Sequence, residues 1–150
     1  MNGGKISVGN NLSLNHNVTI DASDGGELII GNNVAIGMNS VLRASNHDYI
    51  RMSGHIPGKI IIGDNVWIAA NCVIVPNVEI GSGSVIGAGS IVTKNIPENV
   101  VAVGNPCKPI KEIIRKTEPD IEIEQRHINF VNTFVAPGYE QEWIDRLKKK

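Results

Sequence analysis

The side chains best suited to chemistry cluster in one stretch, residues 47–59, which reads HDYIRMSGHIPGK. It follows Asn46 and carries two of the four histidines, with Tyr49, Arg51 and Met52 between them. Imidazole is the side chain whose ordinary titration falls near neutrality. It is therefore suited to take a proton from an attacking hydroxyl or amine, and His47 is the candidate general base. Tyr49, Arg51 and Met52 are candidates for contacting whatever that base activates. His16, His55 and His127 stand in poorer contexts and read as surface residues.

This stretch interrupts a strict six-residue period. Aliphatic anchors fall at Val8, Leu14 and Ile20, then at Ile30, Ile36 and Leu42, then at Ile62, Ile68, Ile74, Ile80, Ile86 and Val92. Counting each anchor as position one, position four is Asn11, Asn17, Ser23, Asn33, Asn39, Ser45, Asn65, Asn71, Asn77, Gly83, Gly89 and Asn95. Asn and Gly enter the left-handed backbone region at low cost, so one bend per hexapeptide is expected. A period of this kind marks a parallel β-helix. Three short strands close a triangular coil, and each coil rises by one strand spacing of about 4.8 Å. Strict alternation and hairpin dipeptides, which a β-sandwich requires, are infrequent. The expected fold is all-β: a parallel β-helix over residues 1–104 with an excursion loop at 47–59, followed by a C-terminal extension over 105–150.

Composition agrees and excludes several classes. Aromatic residues make up 4% of the 150-residue chain, so the core must rest on stacked aliphatics. A net charge of −1 gives no electrostatic footprint for nucleic acid. No apolar run of about 18 residues is present to span a membrane, and Met1-Asn2-Gly3-Gly4-Lys5 has no secretory apolar stretch. A cytoplasmic protein is expected. Cys72 and Cys107 lack metal-binding spacing and read as reduced thiols; no metal is expected.

A shorter break lies between Ile20 and Ile30 and contains Asp21, Asp24, Gly25, Gly26 and Glu27. It is either a solvated acidic bulge or one wall of a site, with Asp24 as its acceptor-side candidate. After Lys94 the period fades, and Gly104-Asn105-Pro106 turns the chain out of the coil. Ile110, Ile113 and Ile114 then predict a helix over Pro109–Lys116, docked across the end of the prism. Further on, Ile121–Glu124 alternates like a strand and Tyr139–Lys150 is spaced like a second helix.

Residues 60–113, IIIGDNVWIAANCVIVPNVEIGSGSVIGAGSIVTKNIPENVVAVGNPCKPIKEI, resemble the hexapeptide-repeat acyltransferases, most closely the maltose, galactoside and xenobiotic acetyltransferase group. The resemblance implies a left-handed coil, a homotrimer, and acetyl transfer from acetyl-CoA to a hydroxyl or amine. It matches His47 to the catalytic histidine that opens the family's excursion loop. It matches Asn15, in Asn15-His16-Asn17-Val18-Thr19-Ile20, to an asparagine that polarises the acceptor or stabilises the oxyanion. Asn15 otherwise reads as one more bend asparagine. The family pattern puts acetyl-CoA against Trp67, Ala70 and Ala88, with its phosphates near Thr93 and Lys94 and with Lys108 and Lys111 as further cations. Lys108 stands where relatives often carry Arg, which loses the paired geometry of a guanidinium.

Repeat counting places Asn15 near the corner between faces one and two, and His47 near the corner between faces three and one. They share a site only if a neighbouring subunit supplies one of them, which closed symmetry repeats three times in a trimer. The chain lacks the N-terminal helical segment common in maltose and galactoside enzymes, and its loop is shorter. An envelope or capsule saccharide, or a nucleotide sugar, is thus favoured as acceptor over a free galactoside. Two other readings stay open: a non-catalytic structural β-helix, and a carbonic-anhydrase-like hexapeptide protein, for which His47 and His55 are too widely spaced.

Overall fold

The computed structural model describes residues 3–115. The first coil runs through β1 (Lys5–Val8), β2 (Ser13–Leu14) and β3 (Thr19–Asp21), and the second through β4 (Glu27–Ile30), β5 (Ala35–Ile36) and β6 (Val41–Arg43). A hairpin, β7 (Ser45–His47) and β8 (His55–Pro57), then projects from the coil. The third coil holds β9 (Lys59–Ile62), β10 (Trp67–Ile68) and β11 (Val73–Ile74). The fourth holds β12 (Val78–Ile80), β13 (Val85–Ile86) and β14 (Ile91–Val92), and β15 (Val100–Val103) and β16 (Lys108–Glu112) follow. Face one is β1-β4-β9-β12, face two β2-β5-β10-β13-β15-β16, and face three β3-β6-β11-β14. Successive coils pair in parallel on every face, as a β-helix requires.

The anchors stack as the period demands. On face one Val8, Ile30, Ile62 and Ile80 are in register, and a bridge continues the column to Ile96. Face two aligns Leu14, Ile36, Ile68, Ile86 and Ala102. Face three aligns Ile20, Leu42, Ile74 and Val92. From the second coil upward every anchor is buried, each Ile or Leu contributing about 1.5–3 kcal/mol of burial. Val8 and Leu14 remain about half exposed, at 47% and 48%, because the first coil is packed from one side only.

Position four makes the corners. Asn11, Asn17, Asn33, Asn39, Asn65, Asn71 and Asn77 have φ between 55° and 64°, and Gly83 and Gly89 have φ of 74° and 73°. The asparagines also bond to one another up the stack: Asn11 Nδ2 donates to Asn33 Oδ1 at 2.9 Å, and Asn33 Nδ2 to Asn65 Oδ1 at 3.1 Å. Ser23, Ser45 and Asn95 are not among the positive-φ residues, and at each of them the regular coil ends or is interrupted.

The helix predicted over Pro109–Lys116 is not formed. Lys108–Glu112 is instead a strand, antiparallel to Val100–Val103, within a compact unit that runs through Ile113. The open edge of β15 needs hydrogen-bond partners, and that tertiary demand overrides the helical spacing. Ile110 and Ile114 are left exposed, so no helical face is packed. The strand at 121–124 and the helix at 139–150 lie outside the described residues.

Asn65→Ala is expected to lower the unfolding free energy by about 1–2 kcal/mol, the cost of a left-handed residue with a Cβ. Asn65→Gly, which relieves the backbone and loses only the ladder bond, should cost less. Urea titration of the two variants checks this, and equal losses would show that the bend is not what Asn65 supplies.

Candidate active site

The hairpin fixes the groups of the excursion loop. His47 and His55 are direct cross-strand partners, with ring centroids 4.5 Å apart and planes inclined by 40°. Asp48 caps the tip: Oδ1 accepts the N–H groups of Ile50 and Arg51 at 3.1 and 3.0 Å, and Oδ2 accepts Arg51 Nη1 at 2.8 Å. The Arg51 backbone N–H and then its guanidinium hold the Asp48 carboxyl below its usual range. The Arg51 guanidinium, a candidate for acceptor contact, is thus already paired. Tyr49 and Met52 are exposed and, with His47, Asp48, Ser53 and Gly54, line a cavity of about 320 Å³.

The shorter break lies against this hairpin. Both interruptions leave the coil at the corner between faces three and one, where Ala44 N–H bonds to Asp21 O and Gly58 N–H to Ala44 O. A Cβ on Gly26 would come within 2.8 Å of Ala44 O, so glycine permits the two loops to touch. Arg43 pairs with Asp21 and reaches Asp24 Oδ2 at 3.5 Å, while Asp24 Oδ1 is 3.6 Å from His55 Nδ1. The Ser23 hydroxyl and N–H, with Arg43 beyond them, hold the Asp21 carboxyl below its usual range. The acidic break therefore packs against the hairpin, with Asp24 beside His55.

Asn15 stands elsewhere. It follows Leu14 directly and precedes the turn at His16–Asn17, which places it at the corner between faces two and three. The expectation of the corner between faces one and two is corrected here. Leu14 is the last residue of β2, so position two there begins the next bend. Asn15, His16, Gly37 and Trp67 are among the residues lining a second cavity, of about 300 Å³. Ala70 and Ala88 have equal offsets from the paired anchors Ile68 and Ile86 and stack on this same edge.

Thr93 and Lys94 lie beyond Val92 as Arg43 and Ala44 lie beyond Leu42, on the His47 edge. Lys108 and Lys111 sit on β16, at the far end of face two, opposite Val103 and Val101. One protomer thus divides the predicted residues between two edges, His47 with Thr93 and Lys94 on one, Asn15 with Trp67, Ala70 and Ala88 on the other. Sequence reasoning missed Arg43 and the pairing of His55. The unusual polarity of the repeat Leu42–His47 was the available signal for Arg43. For His55 only the hairpin register could have supplied one.

Residues 59–94 match the family described as bacterial transferase hexapeptide, six repeats, and fold and sequence together define a hexapeptide-repeat β-helix. Over 113 residues the chain is 48% identical to the galactoside O-acetyltransferase of Escherichia coli (strain K12), covering 74% of this chain and 56% of that protein. A maltose O-acetyltransferase from Clostridium difficile 630 is similar in structure, with TM-score 0.68 and 42% identity over 73% of this chain and 60% of the other. A galactoside acetyltransferase in complex with coenzyme A matches with TM-score 0.68 and 42% identity over 77% and 60%. The chain is a homologue of the galactoside and maltose O-acetyltransferases, and it spans rather more than half of their length.

A carboxyl with a lowered pKa binds fewer protons folded than unfolded, so its contribution is complete above the ordinary value of 3.8 and fades as pH falls through the lower folded value. The amide proton shifts of Ile50 and Arg51 should therefore hold steady down to that range and move below it. In Asp48→Asn this titration should vanish; its persistence would assign the cap to another group.

Proposed function

We propose that this chain is an acetyl-CoA-dependent O-acetyltransferase acting on a hydroxyl of a saccharide or nucleotide sugar, with His47 as general base. The observation that carries the reading is a histidine on the one hairpin leaving the coil among the described residues, beside a cavity, in a homologue of named O-acetyltransferases. The thioester supplies an activated acetyl group. His47 takes the acceptor's proton as its oxygen attacks, which neutral imidazole does well near pH 7. Asn15 Oδ1 is occupied by His16 N–H at 2.7 Å, which leaves its Nδ2 as the donor available to a developing oxyanion.

The co-substrate fits the second edge, where Ala70 and Ala88 keep the surface low and Trp67 is 55% exposed beside Asn15. Thr93, Lys94, Lys108 and Lys111 are exposed, and none of these lysines forms an ion pair among the described residues, so their charge is free for phosphates; Thr93 and Lys94, on the His47 edge, meet that co-substrate from the neighbouring copy. On the acceptor side Tyr49 offers an aromatic face and Met52 an apolar one, whereas Asp24 and Arg51 are engaged within the chain. Because His47 and Asn15 occupy different edges, the working site is assembled between two copies, in a homotrimer with three sites. No helix among the described residues is long and apolar enough to cross a membrane. Among the described residues of one chain no three His, Cys, Asp or Glu side chains are grouped to hold a metal.

His47→Ala should lower acetyl transfer by about 10²–10⁴-fold, the usual weight of a general base, with assembly size unchanged by light scattering; an unaltered rate would remove His47 from the chemistry. Inactive His47→Ala and Asn15→Ala chains refolded together should regain activity, because each mixed trimer contains one site built from the intact residue of each. Mixed assemblies that stay inactive would place both residues in one subunit's site or exclude Asn15.

A further inference from the structure

We propose that His55, which stands between Asp24 of the neighbouring break and the hairpin histidine, is a positioning residue for the His47 base. The proposal rests on the acetyltransferase reading for its consequence and on geometry for its support. His47 lies on an exposed hairpin, and among the described residues its ring forms no hydrogen bond or ion pair. The ring contact made to it is that of His55, 4.5 Å away between centroids. His55 in turn lies beside Asp24, with Nδ1 3.6 Å from Asp24 Oδ1 and its side chain 35% exposed.

The far end of this chain of contacts is stiff. Asp24 Oδ2 is engaged by Arg43, and Arg43 is paired with Asp21 both through its guanidinium and in the strand register of β3 and β6. The order from the coil outward is therefore Asp21, Arg43, Asp24, His55, His47. A base that must meet a hydroxyl within hydrogen-bond reach needs its ring direction fixed by supporting groups. A two-stranded hairpin in water is marginal by itself. The neighbouring break supplies what the hairpin lacks, and it explains why the two interruptions of the coil fall at one corner. His55 touches no reacting atom in this scheme; it acts through His47.

The test is a double-mutant cycle joined to a spectroscopic readout. His55→Ala should lower kcat by roughly 10- to 100-fold, the scale of a misplaced reacting group, while KM for acetyl-CoA is unchanged. His55→Phe, which restores a flat ring against His47 but not the contact with Asp24, should recover only part of that loss. Asp24→Asn should lower kcat in the natural chain and do nothing further in the His55→Ala background, since it acts through His55. Independently, the ring ¹⁵N and ¹³C signals of His47 should move toward those of a free histidine in both His55→Ala and Asp24→Asn. Unmoved ring signals, an unchanged kcat, or Asp24 and His55 effects that simply multiply would each overturn the proposal. The ring signals need no turnover, so failure of the positioning role is distinguishable from failure of the acetyltransferase reading.

Discussion

At nine position-four residues, from Asn11 to Gly89, the backbone turns through positive φ, and the geometry of the whole coil depends on where it does so. A bend at a fixed place in each hexapeptide makes every strand segment the same length. Equal segments return the chain to the same three faces, so coil N–H and C=O groups meet their neighbours above and below in parallel register. Only in that register do the anchors form continuous columns, and only then is their apolar surface removed from water together. Asparagine serves the bend twice, since its side chain also bonds to the asparagine of the next coil.

The same constraint decides where the chain can depart. Ser23 and Ser45 fill position four where the left-handed bend is absent, and both belong to the corner between faces three and one. An insertion at a corner leaves the faces intact, because the strands on either side still find their partners: Glu27 N–H bonds to Gly58 O once both loops have returned. An insertion within a face would shift every anchor above it. The loops therefore add polar groups without disturbing the core, and two loops at one corner necessarily lie against each other. Arg43, Asp24 and His55 meet for that reason.

What is local in this fold was legible in the sequence, and what is long-range was not. The anchors and the bend asparagines follow from a period that neighbouring residues express, whereas the excursion expected at 47–59 leaves the coil two residues earlier, with its first strand at Ser45–His47, and is back in the coil at Lys59. Pro109–Lys116 misled because Ile110, Ile113 and Ile114 satisfy a helical pattern, while the open edge of β15 that claims Lys108–Glu112 is invisible until the coil is built. Asn15 was assigned to the wrong corner by a different route: the period counts residues correctly but does not say whether an anchor opens or closes its strand. His55, eight residues from His47, faces it through a hairpin register that no spacing rule specifies.

The separation of His47 and Asn15 on two edges has a mechanical consequence for the proposed chemistry. A face is one hexapeptide wide, roughly 15–20 Å at the rise of an extended chain, which is more than an asparagine and a histidine can span from opposite corners. Nor can the coil flex to bring the corners together, since each strand is hydrogen-bonded on both sides through the middle of the stack. Under the proposed reading, a stiff prism completes a two-edge site by setting one of its edges against a different edge of a second copy. Rigidity, which keeps the groups apart within one chain, is then what holds them accurately once two chains meet. The hairpin, whose two strands pair only with each other, is the part of the site outside that stiff stack, and it is there that the proposed positioning of His47 by His55 would act.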